Sequence, residues 1–503
     1  MTYWGFHYSL PMLKAKAAHV PLGLMTVAAL LPKDWEIELA DLNVEPLTDE
    51  ALRRADAVLL SGMLVQLPSM LEVIARARVV GTPTIVGGPA CTTSPELFDS
   101  ADHVFQGEAE GRIDVVVRAV EERGGPHLLS SSPKLTLARP PLSETVVPRF
   151  DLARRGVYRS MSVQYSRGCP YSCEFCDVIE LFGRVPRVKS PDQVIAEIEA
   201  LHATGYRGSV FIVDDNFIGN KRSVKELLPR LVAWQAAHDR PFTFYTEASV
   251  NLAADPELLL LMVDAGFCSV FLGIETPSVA ALEGAGKKQN LGVDLRVAVE
   301  TITRAGIDVM GGFIVGFDTD TAETFEAQRA FLEDLPVPVA MVGLLMALPG
   351  TALWKRLSRE GRLERRCNGD QFTRPNFVPA MGEVEVLESY AKLMTELYSN
   401  DGYYRRAEAQ VETLGPPCVP TPITLADVML VVRSVVEVGI LSDRRVPFFR
   451  LMIGSLRRGG VGLRAATTAA IVGEHMIRYT REHLLPRIEQ SLVEARRERA
   501  AAA

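Results

Sequence analysis

From residue 161 onward the chain alternates six times between a short apolar run of strand character and a helical pattern, and few folds accommodate that rhythm. The strands fall at 161–165, 209–213, 242–246, 269–274, 309–315 and 340–346. The helical patterns fall at about 192–203, 222–237, 256–264, 294–304 and 322–333. Strands joined by connections of helical length run parallel, so residues 161–365 are expected to form a partial, TIM-like (β/α)6 barrel in an α/β chain. Barrels of this kind carry their chemistry on loops leaving the carboxyl ends of the strands, and every polar cluster of this stretch falls at such an end.

The first of these loops carries Ser166-Arg167-Gly168-Cys169-Pro170-Tyr171-Ser172-Cys173-Glu174-Phe175-Cys176, with cysteines spaced C-x3-C-x2-C. Thiolates are soft ligands that select iron–sulfur clusters, zinc or copper(I). A structural zinc needs a fourth Cys or His, and none lies within 25 residues on either side. A four-iron cluster held by the thiolates of Cys169, Cys173 and Cys176 would instead keep one iron open to a small molecule. Three unrelated buried thiols are the alternative.

Four further clusters end the next strands. Asp214, Asp215 and Asn216 follow the second strand and could cap the next helix or accept hydrogen bonds from an ammonium group. Glu247 and Ser249 follow the third, divided between ligand contact and local structure. Glu275 ends the apolar run Val270-Phe271-Leu272-Gly273-Ile274, where a carboxylate is costly to bury without a ligand or a salt bridge. Gly311, Gly312 and Gly316 permit close approach of a ligand, or serve barrel curvature.

Residues 1–125 have a βαβ rhythm: a helix at 22–31, strands at 37–42, 57–61 and 84–86, and a helix at 69–80. This predicts a Rossmann-like domain whose ligand would lie against the loops 41–44, 61–66 and 87–93. A strand should precede the first helix, yet the chain opens on Thr2-Tyr3-Trp4-Gly5-Phe6-His7-Tyr8. Either that strand is missing or the aromatics form an irregular edge. Residues 126–160, with Ser130-Ser131-Ser132-Pro133 and Arg139-Pro140-Pro141, form a linker, and residues 366–503 form a helical domain. In the latter, Arg444, Arg445, Arg450, Arg457 and Arg458 interleave with Phe448, Phe449 and Met452: a core face with solvated charges, a lid, or a membrane-surface patch.

A hydrophobic content of 48% suffices for several cores. A net charge of −8 argues against nucleic acid as a partner, although residues 431–503 hold 13 Arg against 7 acids, a local +6. Seven cysteines, three of them on one loop, do not suggest a disulfide framework. With neither a leader pattern nor an apolar run of membrane-spanning length, a cytoplasmic protein is expected, with peripheral membrane contact the one route to a bilayer.

The cysteine spacing, with an aromatic just before the last Cys, resembles the signature of radical S-adenosylmethionine (SAM) enzymes. The stretches Pro21-Leu22-Gly23-Leu24, Gly183-Arg184-Val185-Pro186-Arg187-Val188-Lys189, Val213-Asp214-Asp215-Asn216-Phe217 and Gly273-Ile274-Glu275-Thr276-Pro277 extend the resemblance to the subfamily with a B12-binding domain that includes the hopanoid C-2 methylase. The resemblance implies a [4Fe–4S] cluster on the three cysteines and SAM on its open iron, cleaved to a 5′-deoxyadenosyl radical. It implies SAM contacts from Phe175, Asp214, Asp215, Asn216, Glu247, Ser249, Glu275, Gly311 and Gly312. Cobalamin would lie against Ser61, Gly62, Met63, Gln66, Gly87 and Gly88. Methyl transfer to an unactivated carbon of a small-molecule or lipid-like substrate would follow, with a flavodoxin or ferredoxin supplying electrons. Three alternatives stay open: a methyl-free rearrangement, cyclisation or oxidation; a first domain that only docks; and a non-catalytic iron–sulfur or zinc-binding regulator. Neither His7 nor His19 fits the D-x-H-x-x-G pattern of a cobalt-ligating histidine, so cobalamin is expected without one.

Overall fold

The computed structural model describes residues 3–122, 127, 129, 139–419 and 424–502. The run Ser130-Ser131-Ser132-Pro133, read as linker, lies outside the described residues.

The first sheet is small and parallel. It contains β1 (Val58–Ser61), β2 (Thr84–Gly87) and β3 (His103–Val104), in that order. Helix Leu67–Val80 packs on it and ends where Gly81 takes a left-handed φ of 80°. The strand expected at 37–42 does not form, because that run joins no ladder and its residues line a cavity instead.

The central body is a parallel sheet of β4 (Ser160–Val163), β7 (Gly208–Ile212), β8 (Phe242–Ala248), β9 (Phe267–Glu275), β10 (Asp308–Val315) and β11 (Ala340–Leu344). Consecutive strands are neighbours throughout. A short antiparallel pair, β5 (Ser166–Arg167) with β6 (Arg187–Val188), stands beside it. Burial alternates along β8: Phe242, Phe244, Thr246 and Ala248 face the helices, while Thr243, Tyr245 and Glu247 face the lumen. The outer helices begin on local caps. Ser190 and Gln193 form a capping box for Pro191–Ala203, and Asp255 caps Pro256–Ala265, which stops at Gly266 with φ 99°.

The partial barrel stays open between β4 and β11. Each free edge receives a short extra segment: Arg159 and Ser160 donate to the carbonyls of Ala17 and Ala18, and Leu344 donates to Gln371. The aromatics at the start of the chain are therefore no edge of the first sheet. Tyr3–Gly5 forms a 3-10 turn, and Tyr3, wholly buried, inserts among Phe372, Tyr398, Tyr479 and His475, with its ring 4.5 Å from that of Tyr479.

The last third is helical, from Glu383–Leu397 to Leu485–Ala502. Among the described residues no helix is long and apolar enough to cross a membrane. The expectation that the scattered cysteines stay unpaired is corrected at one place. Cys268, on β9, and Cys418 are joined as a disulfide with Cα atoms 5.5 Å apart, tying the barrel to the segment after helix Asn400–Thr413.

Buried ion pairs set the first domain against the barrel. Arg167 on β5 reaches Glu108 at 2.5 Å and Glu110 at 2.7 Å, and Arg187 on β6 reaches Glu108 at 2.5 Å. Charges this buried persist only when paired, so the β5–β6 ribbon fixes how the two bodies meet.

Candidate active site

The cysteine loop leaves β4 at its carboxyl end and is braced on all sides. Gly168 has φ 96°, and a Cβ there would lie 2.7 Å from the Gly183 carbonyl oxygen, so the turn into Cys169 requires glycine. The Cys169 N–H donates to Gly183 and the Glu174 N–H to Ala285, while the Glu174 carboxylate pairs with Arg356 at 2.9 Å. All three thiols are free. Burial pushes the Cys169 and Cys176 thiols up, so their thiolate forms call for nearby positive charge. Donors already point at the sulfurs: Gln289 Nε2 lies 3.5 Å from Cys173 Sγ, and Asn216 Nδ2 lies 3.9 Å from Cys169 Sγ. Hydrogen bonds to sulfur are one way a protein tunes a cluster.

Lys287 was not legible from the sequence. Its ammonium is buried and lies 2.5 Å from Glu275 Oε1. Burial opposes its charge, but Glu275 and the Cys173 and Cys176 sulfurs outweigh that, and its pKa rises. Glu275 thus has a protein partner and is not left for a ligand alone. It sits at φ 64°, a conformation few side chains adopt. The one signal in the sequence was the polar run Lys287-Lys288-Gln289-Asn290 after a short helix.

Acids crowd the mouth of the barrel. Asp214 is wholly buried and accepts from the Tyr165 N–H at 2.8 Å and the Ser166 hydroxyl at 2.6 Å, bracing the entrance to the cysteine loop. Neither Asp214 nor Asp215 caps the next helix, because Asn220 does so. Burial raises Asp214 to about 6. Burial, then Asp214 and Asp177, raise Asp215 to about 7. Glu247, with no hydrogen-bond donor among the described residues, rises to about 8 through burial and then Asp215 and Asp214. Ser249 donates to Asn251 at 2.8 Å and to Asn216 at 3.4 Å.

Because the folded pKa values of Asp215 and Glu247 exceed their unfolded ones, the fold favours their protonated forms. The ligand-free protein therefore loses stability as pH rises from about 4 through about 8. Glu247→Gln should raise the melting temperature by about 3 °C at pH 8 and leave it unchanged at pH 4, as read by scanning calorimetry. An equal shift at both values would show that Glu247 is not held in its neutral form.

Gly311 faces the outer side, where a Cβ would meet the Phe313 ring at 2.7 Å. At Gly312, on the lumen side, a Cβ would meet the Phe271 ring at 2.7 Å. Both make room for aromatic rings. Phe175 packs against Phe317 in an apolar cluster, ring centroids 6.3 Å apart.

A cavity of about 2760 Å³ joins the open barrel to the first domain. Ser61, Gly62, Met63 and Gln66 line one wall, and Tyr245, Glu247, Phe271 and Met310 line the lumen side. The loop 61–66 is preformed, since Gln66 Oε1 accepts from the Met63 N–H at 2.9 Å. Gly87 and Gly88 stay off the wall. Gly88, at φ 87°, lies so close to Ser61 Oγ that a Cβ would collide, so it serves the packing of one strand end on the other. His19 also lines the cavity, but its Nδ1 lies 3.1 Å from both the Ser160 and Tyr245 hydroxyls. Burial lowers it to about 4, leaving it neutral at pH 7.

Residues 8–117 match the family described as B12 binding domain, 163–332 the Radical SAM superfamily, and 351–487 a domain of unknown function, DUF4070. Over 95% of its length the chain is 34% identical to the hopanoid C-2 methylase of Rhodopseudomonas palustris, covering 91% of that protein. The chain belongs to the radical SAM family with a B12-binding domain. An uncharacterized methyltransferase of Synechocystis, sll1242, is 40% identical over 95% of this chain and 90% of its own. The fold is shared with the cobalamin-dependent SAM radical enzyme OxsB, at TM-score 0.60 and 15% identity over 97% of this chain and 82% of that one. It is also shared with the radical SAM methyltransferase TsrM of Kitasatospora setae, at TM-score 0.57 and 20% identity over 70% and 78%. This radical SAM protein is accordingly an enzyme of the cobalamin-dependent methyltransferase family, with a [4Fe–4S] cluster, SAM and cobalamin as cofactors. The donor set fits them: three free thiols on one braced loop, raised acids suited to a cationic ligand, and a cavity large enough for a corrin.

Proposed function

We propose that the enzyme transfers a methyl group to an unactivated carbon of a lipid-like small molecule. One observation carries this reading: the loop 61–66 and the barrel lumen face each other across a single cavity, so a methyl donor and a substrate carbon can meet there. When bound, the cluster and SAM supply a carbon-centred radical and cobalamin supplies the methyl group.

The rest falls to the protein. Cys169, Cys173 and Cys176 would hold the cluster, with Asn216 and Gln289 donating toward the sulfurs. Asp215 and Glu247, short of donors of their own, would take the ammonium of SAM, and their raised values would fall as that cation neutralises them. The loop of Ser61, Gly62, Met63 and Gln66 would face the corrin, and because neither His7 nor His19 sits in a D-x-H-x-x-G pattern the site would be histidine-free. Phe271 and Met310 would hold an apolar substrate and exclude water. The name of the hopanoid C-2 methylase, 34% identical to this chain, supports this substrate class, and peripheral contact with a membrane would supply it. A flavodoxin or ferredoxin would supply single electrons.

The test is anaerobic turnover of the reconstituted enzyme with methyl-labelled SAM and polycyclic lipid acceptors, measuring both SAM products. Methyl transfer forms S-adenosylhomocysteine and 5′-deoxyadenosine together with a labelled lipid. Deoxyadenosine alone would replace this reading with a methyl-free reaction. On the same sample, a nitrogen-14 splitting in the cobalt paramagnetic resonance that vanishes in His19→Ala would overturn the histidine-free site.

A further inference from the structure

The two helices after residue 424 are turned the unusual way round. Helix Leu425–Ser434 and its continuation Val435–Ile440 expose Leu425, Val428, Met429, Val432, Val436 and Ile440, a stripe at helical spacing that begins with Leu425 at 78% exposure. The next helix, Arg445–Ser455, runs on to Leu456 and repeats the pattern with Val446, Phe449, Ile453 and Leu456; Val446 is 71% and Ile453 66% exposed. The helices touch at Gly439, where a Cβ would lie 2.8 Å from the Phe448 ring, so they form one hairpin. Most of the charged groups on and between them are tied down. Arg433 pairs with Glu437 at 2.6 Å, Asp427 caps its own helix through Thr424, and Asp443 pairs with Arg444 and Arg481. A solvated helix exposes charge and buries such a stripe, and contiguous apolar surface of this extent on a soluble protein marks an interaction site.

Charge decides the occupant. Arg445 and Arg457, beside Val446 and Leu456, are exposed and carry no ion pair among the described residues. Cations framing an apolar face suit the border between anionic headgroups and acyl chains. A second copy of the chain would bring the same arginines together with the nearby acids already engaged. The hairpin also adjoins the active-site cavity: Arg433 donates to the carbonyls of Pro11 at 3.0 Å and Met12 at 3.1 Å, and Leu10 and Pro11 line that cavity.

We propose that the hairpin 425–456 is a membrane dock that rests its apolar stripe in one leaflet of an anionic bilayer, beside the rim of the cavity. This deepens the reading of the substrate as lipid-like and names the surface through which it would be drawn.

The test is flotation of the holoenzyme with vesicles of phosphatidylcholine containing or lacking phosphatidylglycerol, at low and high salt. Wild type should float, better with phosphatidylglycerol. Val446→Ser/Ile453→Ser, altered only at exposed positions, should bind about tenfold more weakly or worse while keeping its circular dichroism. Arg445→Gln and Arg457→Gln should each cost about fivefold at low salt and little at high salt. Wild type that stays at the bottom at low salt, or a double variant that floats as well as wild type, overturns the dock. So does a dimer without vesicles that Val446→Ser/Ile453→Ser splits, since a second copy would then cover the face. Methylation of a lipid in detergent by protein that ignores vesicles would sink the dock and spare the substrate reading; vesicle binding without any lipid methylation would do the reverse.

Discussion

Alanine in place of Cys173 leaves a folded enzyme without an intact cluster and without 5′-deoxyadenosine production. Cys173 is buried, its sulfur is approached by Gln289, and its charge bears on both the Cys169 and Cys176 thiols. Three thiolates hold the cluster jointly, and no His or fourth Cys among the described residues lies on the loop to replace one. Cys169→Ala and Cys176→Ala should behave alike. Cys268→Ala removes only the tie to Cys418 and should retain both cluster and cleavage. Iron and sulfide content, visible absorption and chromatography of the SAM products read these outcomes. A Cys173→Ala protein that still cleaved SAM would remove the cysteine loop from the mechanism.

The second large effect is on stability. In Lys287→Met the Glu275 carboxylate loses its partner at 2.5 Å while it stays buried at a left-handed backbone position. Removing one member of a buried pair costs about 3–5 kcal/mol, because the remaining charge has neither water nor counter-ion. Urea denaturation of the protein before cluster loading should show this as a lower midpoint with an unchanged slope. The double variant Lys287→Met/Glu275→Leu should recover much of the loss, since two apolar groups impose no such penalty. A single variant as stable as wild type would mean that Glu275 finds another partner or takes up a proton.

The barrel was legible because strands such as β8 and β10 alternate, several outer helices carry their own caps, and the polar clusters fall where parallel strands end. The expected strand 209–213 is shifted by one residue from Gly208–Ile212, and the expected helix 256–264 falls one residue short of Pro256–Ala265. What stayed hidden depended on distance along the chain. Nothing local announces that Cys268 will meet Cys418, 150 residues away, or that Glu275 will be answered by a lysine twelve positions later. At Gly311 and Gly312 the neighbouring rings stayed hidden, because a glycine that admits a ligand and one that admits a phenyl ring look the same in sequence. The 37–42 run has strand composition, yet it lies against a cavity and pairs with no neighbour. The arginines interleaved with Phe448, Phe449 and Met452 left a core face, a lid and a membrane-surface patch open, because such a pattern does not say which way a face will turn.

The placement of Tyr3 has a consequence for how the chain is made. Its pocket is built from Phe372, Tyr398, His475 and Tyr479, and the Tyr3 carbonyl accepts from His475 Nε2 at 2.8 Å. Ala17 and Ala18 in turn wait for residues 157–160. The segment around Tyr3 is thus seated only after residues 372–479 have been synthesised. Until the final helices emerge, Tyr3 lacks the pocket that buries it and stays open to chaperones. A chain cut short before residue 475 would leave Tyr3 without the His475 and Tyr479 side of its pocket, an exposed aromatic that proteases can find.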